Sequence, residues 1–200
     1  MKKAVIVFDT VSGSTAEMAK IIRDEIKIVS INIFPVDDIQ SLDGYDAVII
    51  GSPIRFGGFT KKIKKFIKKY HHELLSKKII FYFSSLYIVN IKEEEKPAVT
   101  LYFDPTLNIQ KISKKEATPM DKTHSIGYYY KAISKQTNNI IPGAIAYFNG
   151  RLDLRKLNFF LRIFMKIVTL FTSKEKVGDF LHPKSVKKGA AVFEGVLRNR

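Results

Sequence analysis

Three short apolar runs, each stopped by small polar residues, constrain this chain more than any other feature. Ala4-Val5-Ile6-Val7-Phe8 gives way to Asp9-Thr10, Asp46-Ala47-Val48-Ile49-Ile50-Gly51 to Ser52-Pro53, and Ile79 to Phe83 to Ser84-Ser85. Continuous runs of this length, rich in β-branched residues, are the pattern of strands buried on both faces. Segments of helical period separate them. Ala16 to Lys27 carries Met18, Ile21, Ile22 and Ile26, and Thr60 to Leu75 carries Ile63, Phe66, Ile67, Tyr70 and Leu74. Ile28 to Val36 reads as a further strand and Asp37 to Asp43 as a connection with one helical turn. Ile140 to Tyr147 reads as the last strand, broken near Pro142, and Ser125–Gln136, Asp153–Thr172 and Ser185–Arg198 read as helices.

Alternating buried strands and helices over 200 residues predict one α/β domain, 1–200, built on a doubly wound five-stranded parallel sheet of order 2-1-3-4-5. The stretch from about 93 to 124 lacks periodicity and contains Pro97, Pro105 and Pro119, so it reads as an insertion after the fourth strand. Within it Glu93-Glu94-Glu95 reads as a solvated loop. In sheets of this kind ligands sit at the carboxyl ends of the strands, near the topological switch. Function is therefore expected just after Phe8, Ile50 and Phe83.

The first of these loops, Thr10-Val11-Ser12-Gly13-Ser14-Thr15, leads into a helix N-terminus. Free N–H groups and the helix dipole favour an anion there, and three types of help converge: hydroxyl donors, a glycine, and close backbone approach. The loop holds no Lys or Arg, which suits a monophosphate and differs from the Gly-Lys-Ser/Thr of a P-loop. The plainer alternative is a helix capped by Ser12 or Ser14. The second loop, Gly51 to Phe59, combines glycines, aromatics and Arg55, and can hug a planar ring or turn Arg55 to the surface.

Thr-x-Ser-Gly-x-Thr after the first strand resembles the phosphate loop of flavodoxins. Gly51 with Ile54-Arg55-Phe56-Gly57, the Phe66-Ile67-Lys68-Lys69 helix, Phe81-Tyr82 with Leu86, and Ile141 to Tyr147 are similar to a narrower group, the menaquinone-dependent protoporphyrinogen dehydrogenases. The basic, apolar helix around Phe159 to Phe171 also has a counterpart there. The resemblance spans nearly the whole chain except about 93–124. It implies FMN, with the phosphate at Thr10, Val11, Ser12, Gly13, Ser14 and Thr15 and the isoalloxazine against Pro53, Ile54, Arg55, Phe56, Gly57, Ser84, Ser85, Leu86 and Tyr87. It also implies a quinone-linked oxidoreductase acting on a porphyrinogen, with the flavin carrying the redox chemistry and no side chain required as acid or base. A flavodoxin-type electron carrier without its own substrate is the alternative; such carriers are usually acidic, whereas this chain has a formal net charge of +15.

That charge is concentrated in residues 60–78 and 151–200. A basic surface implies an acidic partner, unless it is merely solvated. Lys61 to Lys69 and the 153–172 helix are the candidate contacts with an anionic membrane. In the late helix Arg151, Arg155, Arg162, Lys166 and Thr169 form a polar stripe in an otherwise apolar sequence. Packing in the core or against a second copy as a homodimer are the other readings of it. Little aromatic interleaving accompanies the lysines, so nucleic acid is not expected. The absence of cysteine excludes disulfides and thiol chemistry, and the four histidines lack metal-ligand spacing, so no metal is expected. Tyr128-Tyr129-Tyr130 reads as core, with a lid over the ring as the alternative. The apolar run after Lys3 is too short for a signal peptide, and no stretch reaches a membrane span; the expected location is cytoplasmic, with peripheral attachment to the inner face of the membrane.

Overall fold

The computed structural model describes residues 3–54, 57–92, 94, 98–138, 140–156, 162–163 and 177–198. The three apolar runs become β1 (Lys3–Phe8), β3 (Ala47–Pro53) and β4 (Lys78–Ser85). β2 is Ser30–Pro35, only half buried because it lies at the edge of the sheet. Three strands follow from the segment after β4: β5 (Tyr87–Ile91), β6 (Thr100–Phe103) and β7 (Asn108–Ile112). β8 is Ala144–Asn149, fully buried. The central sheet runs β2-β1-β3-β4-β8-β6, parallel throughout. The first five positions reproduce the expected order 2-1-3-4-5.

Strand side chains alternate between two cores, as a two-residue period requires. Ala4, Ile6, Ile49, Ile80, Tyr82, Ala146 and Phe148 face α1 (Ser14–Glu25) and the C-terminal helix. Val5, Val7, Val48, Ile50, Phe81, Phe83 and Tyr147 face the opposite layer, built from α2 (Lys61–Lys69), the short α3 (His71–Leu74) and α5 (Ile126–Gln136). α4 (Pro119–Thr123) precedes α5 and is closed by a capping box between Thr118 and Asp121. The C-terminal helix, α6, spans Pro183–Arg198.

Several boundaries differ from the sequence reading. The helix expected over Thr60–Leu75 divides at Tyr70, whose hydroxyl donates to the carbonyls of Ile39 and Gln40 at 3.2 and 3.0 Å. The tyrosine ends α2 and ties it to the loop after β2. That loop makes a turn near Val36–Asp38 and no helix. The last strand starts only at Ala144, after Pro142 and Gly143. The expected helix from Asp153 is, over Leu154–Lys156, a 3-10 turn; residues 157–161 and 164–172 of that helix lie outside the described residues.

The insertion is more ordered than its composition suggested. β6 docks beside β8, with Thr100 opposite Ala144 and Phe103 opposite Tyr147, so β8 becomes an interior strand. β5 and β7 pair parallel in a separate two-stranded sheet. Asp104, fully buried at the end of β6, fastens the insertion to the main sheet. Its carboxylate accepts from the Thr106 N–H and hydroxyl at 2.8 Å each and from the Asn149 N–H at 3.2 Å. The Asn149 amide then donates to the Thr106 carbonyl at 3.0 Å.

Removing that carboxylate strands a buried backbone N–H. Asp104→Ala is expected to cost about 3 kcal/mol, given that each hydrogen bond to a charged group contributes ~1.5–3 kcal/mol and the three are not additive. A denaturant midpoint unchanged from the parent would contradict this role.

Candidate functional site

The carboxyl ends of β1, β3, β4 and β8 meet at one edge of the domain, and the expected loops open there. The first loop is held from within and from below. The Thr10 N–H donates to Asp9 Oδ1 at 2.9 Å, and the Gly13 N–H to Thr10 Oγ1 at 3.0 Å. Gly13 has φ +90°, a left-handed conformation that a side chain resists, and it occupies the N-cap of α1. Neither Ser12 nor Ser14 caps the helix, contrary to the plainer sequence reading: α1 has no side-chain cap hydrogen bond. Its first-turn N–H groups therefore remain available to an anion. Thr15 Oγ1 is buried and has no partner among the described residues, so it offers a further donor.

Tyr82 supports the loop from β4. Its hydroxyl donates to the Thr15 carbonyl at 3.0 Å. Burial pushes the Tyr82 hydroxyl far above its ordinary pKa, so it stays a neutral donor. The ring reaches α1 across Gly51, its register partner on β3; a Cβ at position 51 would overlap the ring. The glycine after the second apolar run is thus a passage for a tyrosine from the next strand.

The other two loops converge on the first. Ser84 Oγ lies 3.0 Å from Ser14 Oγ, and the Ile54 N–H donates to the Ser84 carbonyl at 3.0 Å. Pro53 and Ile54 are half buried at the end of β3. Arg55 and Phe56 lie outside the described residues. Gly57 has φ +74° and sits against the ring of Tyr128. Ser85 and Leu86 are half buried at the rim, and Ser85 Oγ donates to the Tyr87 carbonyl at 2.9 Å. The Tyr87 ring turns away into the insertion, buried and stacked on His124 with centroids 4.8 Å apart. Of the tyrosine triplet, Tyr129 is core and Tyr128 is exposed beside Gly57.

Sequence reasoning missed the charges around the site. Arg151 lies in a two-stranded antiparallel ribbon, β9 (Arg151–Leu152) with β10 (Gly178–Asp179), rather than on a helix. It pairs with Asp179 and with Glu17 Oε2, the latter at 2.9 Å, and its Nη1 donates to the Ser12 carbonyl at 3.4 Å. These contacts, the Asp179 hydrogen bond foremost, raise the Arg151 pKa. Burial pushes the Asp179 carboxyl up, but Arg151 and the Leu181 N–H outweigh it and hold it below the ordinary carboxylate value. Glu94 is not a freely solvated residue: it accepts from the Ser125 hydroxyl at 2.8 Å and the Gly127 N–H at 3.1 Å, at the N-terminus of α5. Among the described residues no cluster of three or more His, Asp or Glu could hold a metal, and no helix is long and apolar enough to cross a membrane.

Protoporphyrinogen IX dehydrogenase (quinone) of Escherichia coli strain K12 is 32% identical over 103 residues, covering 49% of this chain and 55% of that protein. The proteins of that name from strains O6:H1 and O157:H7 match to the same extent. The chain thus spans about half the length of the curated relatives it matches. Among solved structures, a flavodoxin from the domain Archaea has a TM-score of 0.48 at 14% identity, covering 98% of this chain and 99% of that one. A Lactobacillus acidophilus flavoprotein in complex with FMN has a TM-score of 0.44 at 16% identity, covering 74% and 93%. The family described as Flavodoxin domain matches residues 5–178, from β1 through the first residue of β10, and the chain belongs to that family.

Proposed function

We propose that this protein is an FMN-dependent oxidoreductase that passes electrons from a reduced substrate to a quinone. One observation carries the cofactor reading. At the carboxyl edge of the sheet, α1 begins without a side-chain cap, on a left-handed glycine, with the unpartnered Thr15 hydroxyl buried beside it. These are the donors a phosphate monoester requires. The residues present fit the group: Thr10 to Thr15 would hold the phosphate, while Pro53, Ile54, Gly57, Ser84, Ser85 and Leu86 would border the ring. Bound there, FMN supplies the two-electron and one-electron chemistry that no side chain of this chain provides.

The chain's own part is positioning. Tyr82 and the hydroxyl contact between Ser14 and Ser84 bind the phosphate loop to β4, so phosphate and ring sites move as one body. The Ile54–Ser84 hydrogen bond does the same for the two ring-bordering loops. The name of the Escherichia coli relatives supplies the proposed donor and acceptor classes, a protoporphyrinogen and a quinone. A lipid-dissolved acceptor calls for a membrane-facing surface. The six exposed lysines of α2, of which Lys62 is paired with Asp37, are the candidate for it, and each basic residue near an anionic surface contributes ~1 kcal/mol of attraction. The strong positive charge also argues against a flavodoxin-type carrier lacking its own substrate.

The purified protein is expected to show flavin absorbance bands or to acquire them on addition of FMN, one per chain. A colourless protein that takes up no FMN would sink the proposal. Gly13→Ala places a Cβ where space exists but where φ +90° is strained by ~1–2 kcal/mol. Its FMN affinity is expected to drop about tenfold, equivalent to ~1.4 kcal/mol, with the fold retained. Unaltered binding would place the phosphate elsewhere. Sedimentation with vesicles containing phosphatidylglycerol is expected to weaken when Lys64, Lys65 and Lys68 are changed to Gln, and binding unaffected by that change would remove α2 from the membrane surface.

A further inference from the structure

The phosphate loop contains no cation, yet the folded chain sets two beside it. They come from the segment that follows β8, Arg151 from the β9–β10 ribbon and Lys156 from the 3-10 turn after β9. Gly150 anchors the ribbon: its N–H donates to the Ser85 carbonyl and its carbonyl accepts from the Phe180 N–H, both at 2.9 Å. The ribbon's register places Arg151 opposite Asp179. Asp179 and Glu17 both engage Arg151 Nη2, which fixes the guanidinium plane and leaves Nη1 directed at the loop. Among the described residues Nη1 has one long contact, 3.4 Å, to the Ser12 carbonyl. A Cβ built on Gly13 would lie 3.5 Å from Arg151 Nη1 and 3.7 Å from Lys156 Nζ. Two positive groups from one strap therefore meet at the glycine that opens α1.

We infer that Arg151 and Lys156 supply the countercharge of the cofactor phosphate and make the site selective for a phosphorylated flavin over its unphosphorylated form. This rests on the FMN reading above and names residues that set its specificity. The chemistry favours it. A phosphate monoester is close to a dianion at neutral pH. Hydroxyls and backbone N–H groups donate hydrogen bonds to it but bring no net charge. Asp9, Glu17 and Asp179 all lie around the loop, so an incoming dianion would meet repulsion unless cations offset it. Arg151 matches phosphate oxygens through its planar fork. Lys156 is exposed and has no ion pair among the described residues, so its charge is available to a ligand. Without a ligand, the carboxylates hold Arg151 in the place where the phosphate needs it.

The test is the affinity of the full chain for FMN and for riboflavin, measured by fluorescence quenching at two salt concentrations. Lys156→Gln, Arg151→Gln and Arg151→Lys are compared with the parent. Lys156→Gln is the informative variant if loss of Arg151 loosens the ribbon, because the Lys156 side chain is exposed. The parent is expected to prefer FMN strongly, with that preference shrinking as salt rises. Each Gln variant is expected to lose about tenfold in FMN affinity while its riboflavin affinity stays within about twofold, and Arg151→Lys to recover part of the loss. Equal weakening towards both flavins, or no weakening towards FMN in Lys156→Gln, overturns the inference and leaves the FMN reading intact. A parent chain that binds neither flavin overturns the FMN reading, and the inference falls with it.

Discussion

The hydroxyl of Tyr82 on the Thr15 carbonyl is the contact on which the site depends. It links the middle of the sheet to the first turn of α1. It also needs a gap on the neighbouring strand, and Gly51 is that gap. Burial holds the hydroxyl protonated, so its polarity is fixed: it donates and the backbone accepts. The loop ahead of α1 is therefore set against β4 before any ligand arrives. Ser14 and Ser84 repeat the link two residues further along β4. A binding loop held in this way loses little entropy on binding, and preorganisation of that kind yields affinity without extra contacts.

The same economy explains the segment after β4. A chain that left the sheet at Ser85 and returned at Ala144 would leave β8 as an exposed edge. β6 covers that edge, and Asp104 locks it at the end nearest the site. β5 and β7 then build a small sheet on the rim, with the buried Tyr87 ring stacked on the partly exposed His124. The insertion thus borders the expected ring-binding loops, while the ribbon at Arg151 borders the phosphate loop. Both are additions around a conventional parallel sheet.

How much of this was readable in the sequence follows from which contacts are local. β1, β3 and β4 announce themselves because strands buried on both faces leave no polar position to blur the run. Their order and the loops after them follow from strand–helix alternation. β6 and β7 stayed hidden, being four and five residues long, half exposed and mixed in composition. Glu94 looked solvated because a carboxylate at the N-terminus of a helix 31 residues away leaves no mark in its own neighbourhood. Ser12 and Ser14 were plausible caps by type, but the left-handed turn at Gly13 directs them elsewhere. Arg151 was read as part of a polar stripe on the late helix, and Lys156 was counted within a stretch of general positive charge. Their approach to a loop some 139 residues earlier depends on the ribbon, whose two-residue strands carry no periodic signal.

The most direct measurement is a backbone amide NMR titration of the protein, stripped of any bound flavin, with FMN. The account predicts that the largest shifts fall on residues 11–15 and 84–87, with Gly51 and Gly150 following because Tyr82 and Ser84 pack against them. Saturation at one equivalent with those residues leading would place the cofactor on the Tyr82-supported loop. Shifts centred elsewhere, with residues 11–15 unmoved, would contradict the account at its base.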